Sequence, residues 1–453
     1  MSTDAALSAI EGQYGGWTDP LVAFRDALRQ DPRGVEEDSG AWGEWLRDRG
    51  VGTEWLARIA VTDRVCGEIT VVDGPYEDML AVPRVYGTIN DPHEGMPVRI
   101  PVEGGRYWTV ADATVVGGWD IVTTPSGACW PALGPSTESV LVSNALGARL
   151  LGWTPSFMVV RDPTRGPRRR VASLLCRRRR RIDAAVALVG EHSFQYGHWM
   201  IDYLCRALAV RDVDASLPIL VDAAISPSAR WWLERVLPGR RILALQQHQP
   251  IEVGRLLVPL QRTFCPTGWI DSLELGPEVW SWDSKAIAEL HRLATADRRD
   301  VRRHRRLFLR RRPGTNKPLV NQDELADAAA RDGFQLVYPE DLSMPNLQAL
   351  LDETEDVIAP VGSQVKNVVA ARAGLRVLVL AGGDMGKLRG DAVHYGRVCG
   401  HEVALIGGRA AGPSPRTAYE RKQAPYEVDV GLFEAARLDF FSGRQMADDR
   451  AAQ

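Results

Sequence analysis

The feature that most constrains the fold is an alternation that begins at Arg305. RRLFLRR reads as a strand, a helix runs to Asp332 and stops at Gly333, and FQLVYPE is the next strand. A helix through LQALLDETE follows, then the strand DVIAP, the helix GSQVKNVVAARAG ended by Gly374, and the strand RVLVL closed by AGGDMG. Short apolar strands separated by helices of roughly a dozen residues predict a parallel sheet with right-handed crossovers. Asn321-Gln-Asp-Glu324 has the form of a capping box, with Asn321 at the N-cap.

An earlier stretch shows the same rhythm less cleanly. Residues 184–189 form an apolar run that reads as a buried strand, and LPILVD is another. SPSARWWLERVLPG reads as a helix, with Ser226 at the N-cap, Pro227 at the first helical position and Gly239 at the stop. RRILAL and GRLLVPL are two more strands, and residues 277–297 read as a long helix. Upstream, residues 1–70 are helically periodic, and residues 66–181 break into short β-rich runs punctuated by Gly, Pro and Asp. We therefore expect an extension (1–95), a β-rich lead-in (96–183), two α/β units (184–300 and 301–440) and a tail (441–453).

Composition narrows the function classes. A net charge of −3 argues against a general nucleic-acid binder, and the six scattered cysteines lack zinc spacing and predict reduced thiols in a cytoplasmic setting. The N-terminus has no signal-peptide pattern, and no window approaches a membrane span. Nine arginines crowd residues 165–181, from Arg165 and Arg168 to Arg181. They suit either a solvated, salt-bridged hairpin or peripheral contact with an anionic inner membrane face.

Candidate chemistry comes from two places. His198, Asp202 and Arg206 recur every four residues just after the 184–189 strand, a polar row on one helix face. That row is either a site or a salt-bridged surface helix. In the later unit, ligands should bind beyond the carboxyl ends of the strands, which singles out the loops at 310–313, 339–340, 361–363 and 381–384. Gly362 and Ser363 lead straight into a helix, where free N–H groups and the helix dipole favour an anion, with Arg310 in reach. Asp212-Val213-Asp214 is a DxD triplet and Asp384 sits in a glycine loop, both weak metal candidates.

These residues together resemble glycosyltransferase family 61. The resemblance covers roughly residues 110–400 and is carried by Gln195-Tyr196-Gly197-His198-Trp199, Asp202 and Leu204-Cys205-Arg206. Further on it is carried by Leu309-Arg310, Asn321 with Glu324, Gly333-Phe334, Pro339-Glu340, and Gly362-Ser363 with Asn367. The chain departs from the family pattern at Val361, Cys205, Gln195 and Leu347. The resemblance implies an α/β, GT-B-like pair of Rossmann-type domains facing a cleft, and inverting transfer of a sugar from a nucleotide-diphosphate sugar. The acceptor would be a glycan, lipid-linked or small-molecule hydroxyl, with no essential divalent metal and no other cofactor. His198 or Asp202 would be the base, with Glu340 an alternative base or a donor-hydroxyl acceptor. Arg310, Lys317, Gly362, Ser363, Lys366 and Asn367 would bind the donor, and Tyr196, Trp199 and Arg206 would line the acceptor side. The competing class is a non-catalytic nucleotide-sugar or glycan-binding protein. Homo-oligomerisation is left open.

Overall fold

The computed structural model describes residues 68–89, 95–118, 122–124, 127–129, 180–190, 193–246, 249–263, 281–314, 317–382, 389–412 and 424–442. The segment 1–67, most of the arginine run, Asp384 and residues 443–453 of the tail lie outside them. The strands are β1 (Glu68–Val71), β2 (Tyr76–Leu80), β3 (Arg84–Tyr86), β4 (Val98–Val102), β5 (Arg106–Val116), β6 (Val122–Thr124) and β7 (Gly127–Cys129). Next come β8 (Arg180–Leu188), β9 (Ile219–Asp222), β10 (Ile242–Leu245) and β11 (Pro250–Pro259). The later strands are β12 (Arg305–Leu309), β13 (Gln335–Val337), β14 (Thr354–Pro360), β15 (Arg376–Ala381), β16 (Glu402–Gly407), β17 (Arg409–Ala410) and β18 (Tyr426–Glu427). We number the helices α1 (196–210), α2 (Pro227–Val236), α3 (Ser284–Thr295), α4 (Gln322–Arg331), α5 (Met344–Asp352), α6 (Ser363–Ala370), α7 (389–398) and α8 (Val430–Ser442).

Two sheets organise the molecule. The first has eight strands in the order β10-β9-β8-β11-β5-β6-β7, with β1 also on β5. Its first four are mutually parallel, and β5 to β7 continue it antiparallel. The second sheet is the alternation expected from Arg305 onward, in the order β13-β12-β14-β15-β16-β3 and parallel throughout. The near-continuous apolar runs are what a parallel sheet covered on both faces requires: every residue of β15 is buried. The structure adds two strands that the sequence reading left out of this sheet. One is β16, and the other is β3, which comes from the segment assigned to the extension.

Between the sheets lies one continuous apolar core. It joins Val186 and Leu188 of β8 to Trp199 and Leu204 of α1, Trp232 of α2, Ile287 and Leu290 of α3, Leu347 of α5 and Val368 of α6. The same cluster reaches Leu307, Val357 and Val377 of the second sheet. The outer face of that sheet packs against α4 and α8 through Leu325, Ala329, Phe433 and Phe440.

Local signals behave unevenly. Ser226 caps α2 by accepting from Ala229 N at 3.1 Å, and Asp283 caps α3 by accepting from Ala286 N at 2.8 Å. Asn321 does stand at the N-cap of α4, but the capping box does not form. Its amide instead bridges both backbone groups of Val428, at 2.7 and 3.2 Å, tying α4 to the approach of α8. Helix α1 is not regular: a wide i→i+5 turn occupies Trp199–Tyr203. Among the described residues, no helix is long and apolar enough to cross a membrane.

Candidate functional site

Strand order locates the site. In the first sheet the chain winds from β8 outward to β9 and β10 and then returns to β11 on the other side, so the order reverses between β8 and β11. In the second it reverses between β12 and β14. Open parallel sheets hold ligands beyond the carboxyl ends of strands at such a reversal. The segments leaving these four strands are 189–198, 260–263, 310–314 and 361–363, and they supply most of the candidate side chains.

At the first reversal, α1 presents His198 and Asp202 on one side, with Nδ1 and Oδ2 2.7 Å apart. From the end of β11, Gln261 Nε2 donates to the other carboxylate oxygen, Asp202 Oδ1, at 2.9 Å. Arg206 does not continue the row. The wide turn at Trp199–Tyr203 inserts one residue per turn and rotates everything beyond it, so Arg206 points inward. It is buried over the Tyr203 ring, 4.3 Å from its centroid, with Nη2 donating to Val189 O at 3.3 Å. Trp199 is fully buried, stacks on Tyr203 and donates to Ala229 O at 3.0 Å, so its indole lies in the core.

Beneath this helix, Asp222 at the end of β9 gathers the loop that leads into it. Its buried carboxylate accepts from Gly190 N at 2.9 Å, Gly118 N at 2.5 Å and the Ser193 hydroxyl. Burial pushes the Asp222 carboxyl upward, against the pull of these donors.

At the second reversal three consecutive arginines leave β12. Arg310 pairs with Asp323 and lies over the Tyr338 ring at 5.0 Å. Arg312 pairs with Asp341 and approaches Glu340 at 3.7 Å, which places the Glu340 carboxylate in a surface ion pair. Arg311 differs from both. Its Nη1 donates to the carbonyls of Val361 (2.9 Å) and Lys317 (3.2 Å), and among the described residues it has no carboxylate partner. Its guanidinium stands beside Gly362, 3.2 Å from where a Cβ would be. Burial lowers its pKa, as expected for a cation partly withdrawn from water. Gly362 has φ +150°, a conformation only glycine adopts readily, and it turns the chain from β14 into the 3₁₀ helix α6. Lys317, with φ +56°, holds a left-handed conformation that turns its carbonyl to Arg311.

The two reversals touch. Gly197 lies so close to Ser363 that a Cβ on it would come within 2.7 Å of Ser363 Oγ. Lys366, buried in α6, donates to Gly197 O at 3.3 Å. Asn367, also buried, accepts from the Tyr196 hydroxyl at 2.8 Å, and that hydroxyl accepts in turn from Trp232 Nε1 at 3.1 Å. Burial pushes the Tyr196 phenol well up, keeping it neutral as a donor. Thus Tyr196, His198, Asp202, Gly362, Ser363, Lys366 and Asn367 fall into one locality. Trp199 and Arg206 are core side chains, and Glu340 is on the surface with Arg312.

Gln261 and Asp222 of the locality escaped sequence reading, and Arg311 fell within the 310–313 loop without being picked out from its neighbours. The strand-end rule, applied to β9 and β11 as well as to the second sheet, points at the first two. Among the described residues no cluster of three or more His, Cys, Asp or Glu side chains is placed to hold a metal. In the DxD triplet, Asp214 accepts from Ser216 N at 2.9 Å and closes a local turn.

The arrangement offers a carboxylate-backed imidazole on one side and a cationic, amide-rich turn on the other. No curated protein matches the chain. Residues 196–378, which run from Tyr196 at the start of α1 into β15, match the family model described as Glycosyltransferase 61, so this part of the chain is similar to that family of glycosyltransferases.

Proposed function

We propose that the protein is an inverting transferase that moves a sugar from a nucleotide-diphosphate sugar to a hydroxyl of a glycan, lipid-linked or small-molecule acceptor. The observation that carries this reading is the contact between the two reversals, which sets the His198–Asp202 pair beside the Gly362–Ser363 turn through Gly197 and Lys366. Two α/β units meeting at their strand ends also support the GT-B-like description, with the acceptor in the first unit and the donor in the second.

Inversion needs a base on one side of the anomeric carbon and a departing anion on the other. Both oxygens of Asp202 are engaged, one by Gln261 and one by His198. We therefore assign the proton transfer to the imidazole, with Asp202 holding Nδ1–H and stabilising the imidazolium as it forms. The acceptor oxygen forms the new bond to the anomeric carbon as its proton passes to His198. The bond to the diphosphate breaks, and the electron pair leaves with the phosphate oxygen.

Arg311 and the amides that open α6 meet the charge developing there, with Arg310 and Lys317 adding to the positive field. This reading needs no divalent ion.

The test is a thermal-shift panel of UDP-, GDP-, CMP- and TDP-sugars with and without chelator, followed by transfer assays with the stabilising donor. One donor should raise the melting temperature irrespective of chelator. Asp202→Asn should then lower transfer by about 100-fold or more while still binding that donor. Near-normal turnover in a folded Asp202→Asn protein would sink the assignment.

A further inference from the structure

Gln261 is a neutral side chain at the carboxyl end of β11, two residues past Pro259. Strand β11 is the one beyond the order reversal in the first sheet, so its end faces α1 across the crevice. An ionised carboxylate only accepts hydrogen bonds, so the 2.9 Å contact with Asp202 Oδ1 must be made by the amide nitrogen of Gln261. The next residue, Arg262, turns the opposite way and is spent on Asp283 at 2.7 Å and Asp73 at 2.9 Å. The cation is thereby kept from neutralising Asp202, and the amide is presented to it.

We propose that Gln261 is a positioning residue that locks the Asp202 carboxylate in the rotamer that fixes the His198 tautomer. This inference rests on the reading of His198 as base. A carboxylate held at one oxygen only swings about its last torsion, and its hold on an imidazole loosens. With Oδ1 fixed by an amide from a different strand, Oδ2 stays 2.7 Å from Nδ1, so the ring proton sits on Nδ1 and the lone pair on Nε2. An amide suits this task better than a cation. It orients the carboxylate without cancelling the negative charge that stabilises the imidazolium.

Among the described residues, the charged and titratable groups around the pair come from α1, from the end of β11 and from α6. On α1 the titratable neighbours are Tyr196, whose hydroxyl donates to Asn367, Tyr203, stacked on Trp199, Cys205, whose thiol burial pushes up to about 12, and Arg206, which donates to Val189 O. Asp283 and Arg262 neutralise each other behind Cys205. From α6, Lys366 is directed to Gly197 O.

The test uses the full chain and two substitutions. Gln261→Leu removes the donor at similar volume, and Gln261→Glu keeps the shape but replaces the donor with a like charge. Imidazole ¹⁵N shifts, with His198→Gln to assign the signal, report the tautomer without any substrate. We expect the Nδ1–H form in the parent protein and a mixture with Nε2–H in Gln261→Leu. With the donor identified by thermal shift, kcat should fall about tenfold in Gln261→Leu with donor KM within twofold. The acidic limb of the kcat/KM profile should move to higher pH in Gln261→Glu alone. An unchanged tautomer in Gln261→Leu, or equal effects on kcat and KM in both variants, would overturn the proposal. A parent protein with the expected tautomer and no transfer at all would instead leave the positioning intact and overturn the reading of His198 as base.

Discussion

Arg310, Arg311 and Arg312 are chemically identical and adjacent, yet the structure gives each a different role. Arg310 and Arg312 end in carboxylates, Asp323 and Asp341, whereas Arg311 ends in two carbonyl oxygens beside Gly362. A charge already met by a carboxylate adds little for an incoming diphosphate, and one held only by dipoles adds more. Arg311→Ala should therefore lower transfer by about 100-fold, and Arg312→Ala by less than about threefold, in steady-state assays with saturating acceptor. Equal losses in the two variants would show that the distinction has no functional weight. The sequence made Tyr196, His198, Asp202 and the Gly362–Asn367 stretch legible because each group falls within one short segment. Gln261 and Asp222 were hidden because their bonds join distant segments: Gln261 lies 59 residues from Asp202, and Asp222 lies 104 from Gly118. No periodicity within a segment reveals such a pairing.

Elements show where local rules were outvoted. Periodicity placed a helix after β8 correctly, but it assumed 3.6 residues per turn throughout. The wide turn at Trp199–Tyr203 breaks that assumption and removes Arg206 from the polar row. Likewise the helix expected after Gly362 is a tighter 3₁₀ form, and it is fixed at its far end by His401. The His401 ring donates from Nε2 to Val368 O at 2.9 Å and accepts at Nδ1 from Leu375 N at 3.3 Å, joining α6 to the start of β15. Burial lowers its pKa from 6.5 to about 4. The unfolded chain thus takes a proton near pH 6.5 that the folded chain refuses until about pH 4. This group's contribution is fully present above that window and is lost as pH falls through it. Between pH 7 and pH 5 the loss is about 2 kcal/mol. Denaturant titrations at the two pH values should show it, and His401→Gln, which keeps a donor and an acceptor without titrating, should flatten it. A slope unchanged in that variant would assign the acid sensitivity elsewhere.

For the whole molecule, the alternation from Arg305 was enough to predict the second sheet, and the weaker rhythm from 184 enough for the core of the first. What sequence could not convey was how closely the two units join. The core between them is continuous, and Gly197 and Ser363 meet without room for another methyl group. Gly197→Ala is easy for the backbone of α1, so its effect should come from pushing the Ser363 turn away. We expect transfer to fall about tenfold or more, following the sensitivity of such sites to sub-ångström misplacement. Ser363→Ala should recover part of that loss in the double variant, because it removes the nearest atom. Strictly additive losses in the cycle would show that the two units do not press on each other there.

The chain also crosses between the units more than once. Strand β3 completes the second sheet beside β16, pairing Arg84 with Ala404, although its sequence neighbours β2 and β4 pair with each other and the strands beyond them, β1 and β5, belong to the first sheet. A ribosome therefore releases the last strand of that sheet long before the other five. Until the C-terminal part of the chain emerges, β3 has no parallel neighbour to pair with. A fragment begun at residue 301 would have the converse defect: its β16 would present a bare row of backbone donors and acceptors, open to pairing with other chains. The boundary that looks cleanest in the sequence is thus a poor place to cut the protein.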